Sequence, residues 1–471
     1  MVYSGCAGTG SYKNQSSLID PPSASKTMAN AAKEGALTPG PWPGIEWWRD
    51  FNDPVLAKLV EESFSNSPEM KLAQAKARFA DAQARLAGAV DTPDVSMNAE
   101  SFRQRISDNG LIPTRFFQNP NTLTQASLAF SYELDIWGLH ASIIKSALGE
   151  AAAVKAETYM ARLLLSFAVA QAYFDLSWFR ERLELMGILL ANSESLERLA
   201  AKRVEGGLDS ITSLQKARLD LELMRSSVAG AKRDAGMAAN KLAALMGRGP
   251  DYAMSSETAK SRDFASPAAL PDNLMTDILA RRPDIIAAKL RVVTAGYRVD
   301  AARALFYPNV NIRALVGLQS VDIEKLFNAD SHMYNFGPAI HLPLFDGGRL
   351  SANLESRGVE WDMAVEKYNL TVINAVKETA DSVISVDGAA KRLESGKMAL
   401  EAAQAGYEAI RKRREAGLDD AMAEINASGM MIVQRLELAT ARRENLTARV
   451  LLIKSLGGGY MSDELLAGNT K

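Results

Sequence analysis

The sequence predicts a mainly α-helical chain with a smaller β part, built from two similar halves. Three observations support this prediction. Two stretches of more than one hundred residues, 138–247 and 347–457, contain no proline. Short motifs recur in the same order along the chain, and four segments alternate apolar with polar residues. Because proline breaks the hydrogen bonding of a helix, the proline-free stretches permit long helices.

Small and apolar residues in both proline-free stretches recur at steps of three and four. A period of 3.5 held over many turns is typical of coiled-coil helices. Each stretch is interrupted once, at 205–209 and at 415–419, where glycine can end one helix and aspartate can cap the next. We therefore expect two helical hairpins, each with a first arm of about 68 residues, roughly 100 Å long.

The recurring motifs indicate a tandem duplication. Ser-Pro-Glu-Met at 67–70 corresponds to Arg-Pro-Asp-Ile at 282–285, and Gly-Leu-Asp at 207–209 recurs at 417–419. The first offset is longer than the second, so the extra residues of the first half must lie between its short helix and its hairpin. We predict a first repeat at 44–270, a second at 271–460 and a C-terminal tail at 461–471.

The alternating segments, at about 94–103, 123–137, 309–319 and 334–345, predict four strands with one apolar face. Their length and pattern fit the strands of an outer-membrane barrel. A small soluble antiparallel sheet with one buried face has the same pattern. We favour membrane strands because no other part of the chain is large enough to cover the apolar face.

Composition limits the functional classes. The chain has 54 Lys and Arg against 56 Asp and Glu, which argues against nucleic acid as a partner. It has no run of 18 or more apolar residues, which excludes a membrane-spanning helix. His140, His332 and His341 lie far apart, and no metal-binding or phosphate-binding motif is present. We expect no catalysis, no cofactor and no metal.

The single cysteine, Cys6, lies in a segment rich in Ser, Ala, Pro and Gly that extends to about residue 43. Ser-Gly-Cys at 4–6 resembles the end of a bacterial lipoprotein cleavage box. We therefore expect residues 1–43 to be a signal remnant and an extended, lipid-anchored tail, with acyl chains on Cys6. The alternative is a free cysteine in a flexible terminus.

Several motifs together resemble a known family. They are Ala-Tyr-Phe-Asp-Leu at 172–176, Arg-Pro-Asp at 282–284, Tyr-Pro at 307–308, Leu-Phe-Asp-Gly-Gly-Arg at 344–349 and the two Gly-Leu-Asp turns. With the tandem halves, they resemble the TolC and OprM family of outer membrane factors, most closely its lipoprotein branch. The resemblance implies a homotrimer whose protomers each contribute four strands to a 12-stranded outer-membrane β-barrel, continuous with a long periplasmic α-helical barrel.

The resemblance also implies a function. Family members are passive exit ducts that receive drugs or other small toxic compounds from an inner-membrane transporter and a periplasmic adaptor protein. We expect this chain to do the same in the outer membrane of a Gram-negative bacterium. An exit duct for type I protein secretion would share the fold. An elongated coiled-coil scaffold is an alternative from a different class, but it leaves the strands without a role.

Site residues follow from position within the family. Thr212 and Ser213 match a segment that supplies gate bonds in TolC, where an aspartate stands in place of Ser213. Asn426 stands where TolC has an aspartate of its constricting ring. We expect nearby acids to supply the negative charge instead, each as a ring of three; these acids are Asp419, Asp420 and Glu424. A solvated acidic turn without a gate role is the alternative.

The turns of the hairpins are also expected to contact the adaptor, because the family offers its hairpin ends to that partner. As bare structure, glycine and aspartate at these positions are explained by helix-hairpin turns alone. The residues assigned to adaptor docking are Gly207, Leu208, Asp209, Gly417 and Leu418.

Overall fold

The computed structural model describes residues 12–23, 38–109, 120–255, 269–271 and 274–461. Cys6 lies outside the described residues. The chain divides into two units, the first formed by Met1–Leu18, Ala77–Val154 and Ala288–Tyr368. The second is formed by Ile19–Lys76, Lys155–Ala287 and Asn369–Lys471. Each unit therefore combines a segment of the first sequence half with the corresponding segment of the second.

Most described residues are helical. The helices are α1 (Pro54–Asn66), α2 (Pro68–Gly88), α3 (Leu139–Glu205), α4 (Ile211–Leu245), α5 (Pro250–Ser255), α6 (Leu274–Arg281), α7 (Pro283–Ala304), α8 (Arg349–Glu415) and α9 (Ala421–Ser455). The strands are β1 (Asp94–Gln104), β2 (Asn121–Leu134), β3 (Asn309–Ser320) and β4 (His332–His341). Short 3₁₀ helices include Trp47–Phe51, and Thr38–Pro39 pairs in parallel with Ala269–Leu270.

The hairpin helices match between the two halves. Helices α3 and α8 have 67 residues each, and α4 and α9 have 35 each. The connection between β1 and β2 spans 105–120, whereas that between β3 and β4 spans only 321–331. The extra residues of the first half therefore lie between its two strands.

An aspartate precedes each long helix and bonds to its first turn. The Asp135 carboxylate accepts hydrogen bonds from the N–H groups of His140 (3.0 Å) and Ala141 (2.8 Å). Asp346 accepts from Gly348 (3.0 Å) and Leu350 (2.8 Å), and these bonds lower its pKa. Because Asp135 belongs to the helix start, β2 ends at Leu134 and not at the predicted residue 137.

The sheet has the antiparallel order β1-β2-β3-β4. Val95 lies opposite Phe130, Leu128 opposite Val316, and Val316 opposite Tyr334, so the alternating apolar residues share one face. The other face carries polar pairs such as Gln125 with Gln319. Strand β4 ends at His341, before the predicted residue 345, because its partner there, Asn309, is the first residue of β3. Many side chains of the apolar face are exposed, including Met97, Tyr334, Phe336 and Ile340.

The largest core of the second unit contains an aromatic cluster. Trp47, Trp48, Tyr173 and Phe174 are buried in it. The Tyr173 hydroxyl donates to Asp53 (2.6 Å), which also caps α1 through the N–H groups of its first turn. The Ala-Tyr-Phe-Asp-Leu motif therefore has a packing role, as do the two tryptophans that precede α1.

The arginine of the Arg-Pro-Asp motif forms a hydrogen bond to the last residue of α9. Arg282 is only 4% exposed and donates to Asp284 (2.7 Å), Glu378 (3.0 Å) and the Ser455 carbonyl (3.1 Å). Burial opposes its charge, but the Asp284 and Glu378 carboxylates outweigh that effect and raise the pKa of Arg282. Gly457, just after the end of α9, has φ 90° and lies against the Arg281 carbonyl, so a Cβ has no room there. The motif is therefore structural.

Candidate functional site at the hairpin turns

The two hairpin turns have the same backbone geometry. Gly207 and Gly417 adopt φ 70° and 75°. The Leu208 N–H donates to the Arg203 carbonyl (2.7 Å), and the Leu418 N–H donates to the Arg413 carbonyl (2.8 Å). These bonds, with those made by the glycine N–H groups, define Schellman motifs, which glycine favours because it adopts the left-handed conformation without steric cost. The duplication thus extends to the details of the turns.

Two of the predicted acids of the second hairpin are paired with arginines of its own helix α8. Asp419 receives two hydrogen bonds from Arg413, at 2.7 and 3.1 Å, and they lower the pKa of Asp419. Glu424 pairs with Arg414, and this contact raises the pKa of that arginine. Asp419 and Glu424 therefore present compensated ion pairs and not free carboxylates.

Asp420 has a different environment. Its carboxylate caps α9 by accepting from the Ala423 N–H (2.8 Å), and its side chain is 59% exposed. It lies 3.9 Å from the guanidinium of Arg203, which belongs to the first hairpin and is also 3.5 Å from Asp209. Arg203 therefore links the two turns of one protomer.

The first turn is held by its own polar residues. Ser210 caps α4 by accepting from the Ser213 N–H (3.3 Å). The Ser213 hydroxyl lies 3.2 Å from that of Ser210. Hydrogen bonds from the Ser213 side chain and, to a smaller extent, from the Ser210 N–H lower the pKa of Asp209. Ser213 is half-buried, whereas Thr212 is exposed. In the second hairpin, Asn426 is exposed in the second turn of α9.

The tips of both turns present a leucine to the surface. Leu208 is 73% exposed and Leu418 is 68% exposed. Each leucine directly follows the turn glycine, the position at which an apolar side chain often accompanies a Schellman motif.

The arginines of the turns were not among the predicted site residues. The Lys-Arg pair at 202–203 and its repeat at 412–413 were visible in the sequence as marks of the duplication. Their partners were not, because basic residues in the last turn of a helix are explained by the helix dipole alone. Arg203 lies beside Asp209 of its own hairpin and Asp420 of the other, whereas Arg413 pairs with Asp419 within one hairpin.

The described ranges, 12–23, 38–109, 120–255, 269–271 and 274–461, offer little further chemistry. Within them, no group of three His, Cys, Asp or Glu side chains is arranged to hold a metal ion. The described helices include none long and apolar enough to cross a membrane. His140 is buried beside Glu133 (3.5 Å) and Asp91 (3.7 Å), whereas His332 and His341 are exposed.

Comparison with known proteins agrees with this architecture. The model of the outer membrane efflux protein family matches residues 59–248 and 274–458. The multidrug resistance outer membrane protein MdtP of Escherichia coli is 30% identical over 89% of this chain and 88% of its own length. The structure of VceC from Vibrio cholerae is 30% identical with a TM-score of 0.77, covering 89% of this chain and all of that one.

A second structure, the CmeC outer membrane channel of Campylobacter jejuni, has a TM-score of 0.85 over 97% of each chain at 22% identity, and so matches in fold. The matched fold and the apolar sheet face together define a protein of the outer membrane. The chain belongs to the outer membrane efflux protein family.

Proposed function

We propose that this chain is the outer-membrane exit duct of a tripartite efflux system. It conducts drugs or other small toxic compounds passively out of a Gram-negative cell. The observation that supports this most directly is the four-stranded sheet, whose apolar face is exposed in the single chain. Lipid is the environment that such a face requires. The members of the family are channel proteins. We therefore propose that this chain, too, is a channel and catalyses no reaction.

The protein acts as a homotrimer. Strands β1 and β4 lie at the edges of the sheet, and bare edges are not tolerated in lipid. Three chains, each with four strands, close a 12-stranded barrel and leave no edge. The tandem repeats at 44–270 and 271–460 each contribute one hairpin. Three chains therefore supply six similar hairpins to the helical part.

The hairpin turns are the docking surface for a periplasmic adaptor, which connects the duct to an inner-membrane transporter. The exposed Leu208 and Leu418 support this role, since each stands at the tip of a rigid glycine turn. Apolar side chains of this kind form the centre of protein contacts, with the charged residues around them as a polar rim. The turn residues involved are Gly207, Leu208, Asp209, Gly417 and Leu418.

The same turns form the constriction of the duct. Asp420 is the most exposed of the three acids and is only 3.9 Å from its arginine, Arg203, so it supplies most of the negative charge, while Asp419 and Glu424 act mainly through their arginines. Arg203 and Asp420 hold the two hairpins of a protomer together in the closed state. Thr212, Ser213 and Asn426 contribute polar contacts to the seal. Protein secretion remains a second use of such a duct, and the substrates distinguish the two.

The experiment is a planar-bilayer recording of the purified protein. Asp420→Asn should reduce the preference for cations, and Arg203→Gln should raise the closed-state conductance because it removes the link between hairpins. Asp381→Asn is the matched control, since Asp381 is an exposed acid on α8 paired with Lys377 (3.3 Å). The difference should shrink at about 1 M salt, where the Debye length is about 3 Å. If both turn variants behave like the parent, the turns do not form the constriction.

Loss of the gene tests the substrate class. A deletion strain of the source bacterium should become more susceptible to several unrelated toxic compounds, with its secreted proteins unchanged. The reverse pattern would assign the duct to protein secretion.

Cys6 of the mature protein should carry acyl chains, which intact-mass spectrometry detects.

A further inference from the structure

The N-terminal segment at 12–16 lies against helix α8. Three groups of this segment donate to one carboxylate, that of Asp362. They are the Tyr12 hydroxyl and the N–H groups of Gln15 (3.1 Å) and Ser16 (3.0 Å). A carboxylate that accepts several hydrogen bonds is a strong attachment point, because each bond to a charged acceptor is stronger than a neutral one.

The Tyr12 ring occupies a socket. It lies directly on Gly358, one turn before Asp362, and a Cβ at position 358 would overlap the ring. The same ring packs against an apolar cluster formed by Val299 and Ala302 of α7 and Leu354 of α8. Glycine at 358 is otherwise costly, because glycine in a helix interior is destabilising relative to alanine. The space that it leaves is filled by Tyr12.

The order of these contacts gives the segment a direction. Tyr12 contacts position 358, and Gln15 and Ser16 contact position 362, so the segment runs parallel to α8. Its N-terminal end therefore faces Arg349, the first residue of α8, which follows β4. An extended chain of six residues, the separation of Cys6 from Tyr12, spans at most about 20 Å. The helix from 358 to 349 spans about 14 Å.

We propose that Tyr12, Gly358 and Asp362 form a clasp that docks the N-terminal segment on α8 and keeps Cys6 within chain reach of Arg349, the first residue of that helix. The clasp also joins α7 to α8 through the ring of Tyr12. Docking of the segment does not depend on the channel function. The use of Cys6 as a lipid anchor beside the strands rests on the proposed function.

The test is chymotryptic cleavage after Tyr12 in the full-length protein, followed by mass spectrometry. Gly358→Ala fills the socket, and Asp362→Asn weakens the bonds to the segment. Both should speed cleavage on the order of tenfold, because proteolysis of a transiently opened segment follows the population of the open form. Gly406→Ala and Asp381→Asn are matched controls on the same helix, since a Cβ at Gly406 meets no atom and Asp381 pairs only locally. They should cleave at the parent rate.

A double-variant comparison separates docking from general loosening. In a Tyr12→Phe background, which keeps the ring but removes the hydroxyl, Asp362→Asn should add less to the cleavage rate than it does in the parent. Equal effects in both backgrounds, or equal rates for Gly358→Ala and Gly406→Ala, would overturn the clasp.

The position of Cys6 is tested separately in unacylated protein. A short bis-maleimide should join Cys6 to a cysteine introduced by Arg349→Cys within one chain, and Gly358→Ala should reduce the yield. A product linking two chains would show that the segment docks on a neighbouring copy and would overturn the intrachain clasp. Bilayer conductance is measured on the same variants, so a failed clasp is distinguishable from a failed channel proposal.

Discussion

At the scale of the residue, titration of the clasp follows from its hydrogen bonds. The bond to Asp362 raises the pKa of Tyr12 from 10.0 to about 12. Burial raises the pKa of Asp362, but the bonds from Tyr12, Ser16 and Gln15 outweigh it and lower that pKa below 3.8. The neutral tyrosine and the charged aspartate are thus the forms that the folded chain favours.

We predict that the clasp is lost at both ends of the pH range. The Tyr12 contribution is fully present below pH 10 and disappears as pH rises toward 12. The Asp362 contribution is present above pH 3.8 and disappears as pH falls below it. A difference ultraviolet titration of the parent against Tyr12→Phe should show one phenol ionising near pH 12. Ionisation of that phenol near pH 10 would contradict the bond.

We expect the buried Arg282 to contribute strongly to stability. Arg282→Ala removes the guanidinium that donates to the Asp284 carboxylate and the Ser455 carbonyl, and it should lower the free energy of unfolding by about 3 kcal/mol. The low end of the usual range applies because Glu378 is 44% exposed. Thermal unfolding in detergent measures the change. Arg49→Ala is the control, since Arg49 forms only exposed pairs and should change stability by less than about 1 kcal/mol. Equal shifts would remove the structural role of the motif.

At the scale of the element, the glycine turns determine where each long helix stops. Gly417→Ala should destabilise the second hairpin by about 1 to 2 kcal/mol, because alanine at φ 75° is strained although its Cβ meets no atom. Gly406→Ala, inside α8, should instead stabilise the helix by up to about 1 kcal/mol. Hydrogen exchange at the Leu418 N–H reports the turn directly. Faster exchange in both variants would mean that helix α8, not the turn, governs stability there.

Strand β2 ends earlier than the sequence predicts because its last residues have other partners. Alternation continues through Ile136, but Asp135 bonds to the first turn of α3 and ends β2 earlier. Periodicity reports which side chains share a face, whereas the end of a strand is decided by where its backbone finds other partners.

At the scale of the whole molecule, the prediction is a detergent-dependent trimer. The exposed apolar face of the sheet and its two edges require lipid and neighbouring chains. Mass measurement of the detergent-solubilised protein by multi-angle light scattering should give three chains of 51.0 kDa. Cys6→Ser should leave the protein in the membrane, since the strands hold it there. A monomer that is stable in plain buffer would refute both the trimer and the membrane strands.

Local patterns in the sequence determined most of the architecture. The heptads and missing prolines predicted the two hairpins, and the alternation predicted four strands with one apolar face. Both depend on backbone dihedrals and on side chains within a few residues of each other. The duplication and the family motifs added the class of protein, which the comparisons confirmed.

Contacts between distant parts of the chain were decided only by the tertiary structure. Tyr12 meets Asp362 across 350 residues, Arg282 meets Ser455 across 173, and Arg203 comes beside Asp420. In the sequence, each of these residues had a sufficient local explanation, as a residue of the tail, of a motif or of a turn. A single sequence has no signal for such pairs, because their energy depends on burial and on distance between helices that only the folded chain brings together.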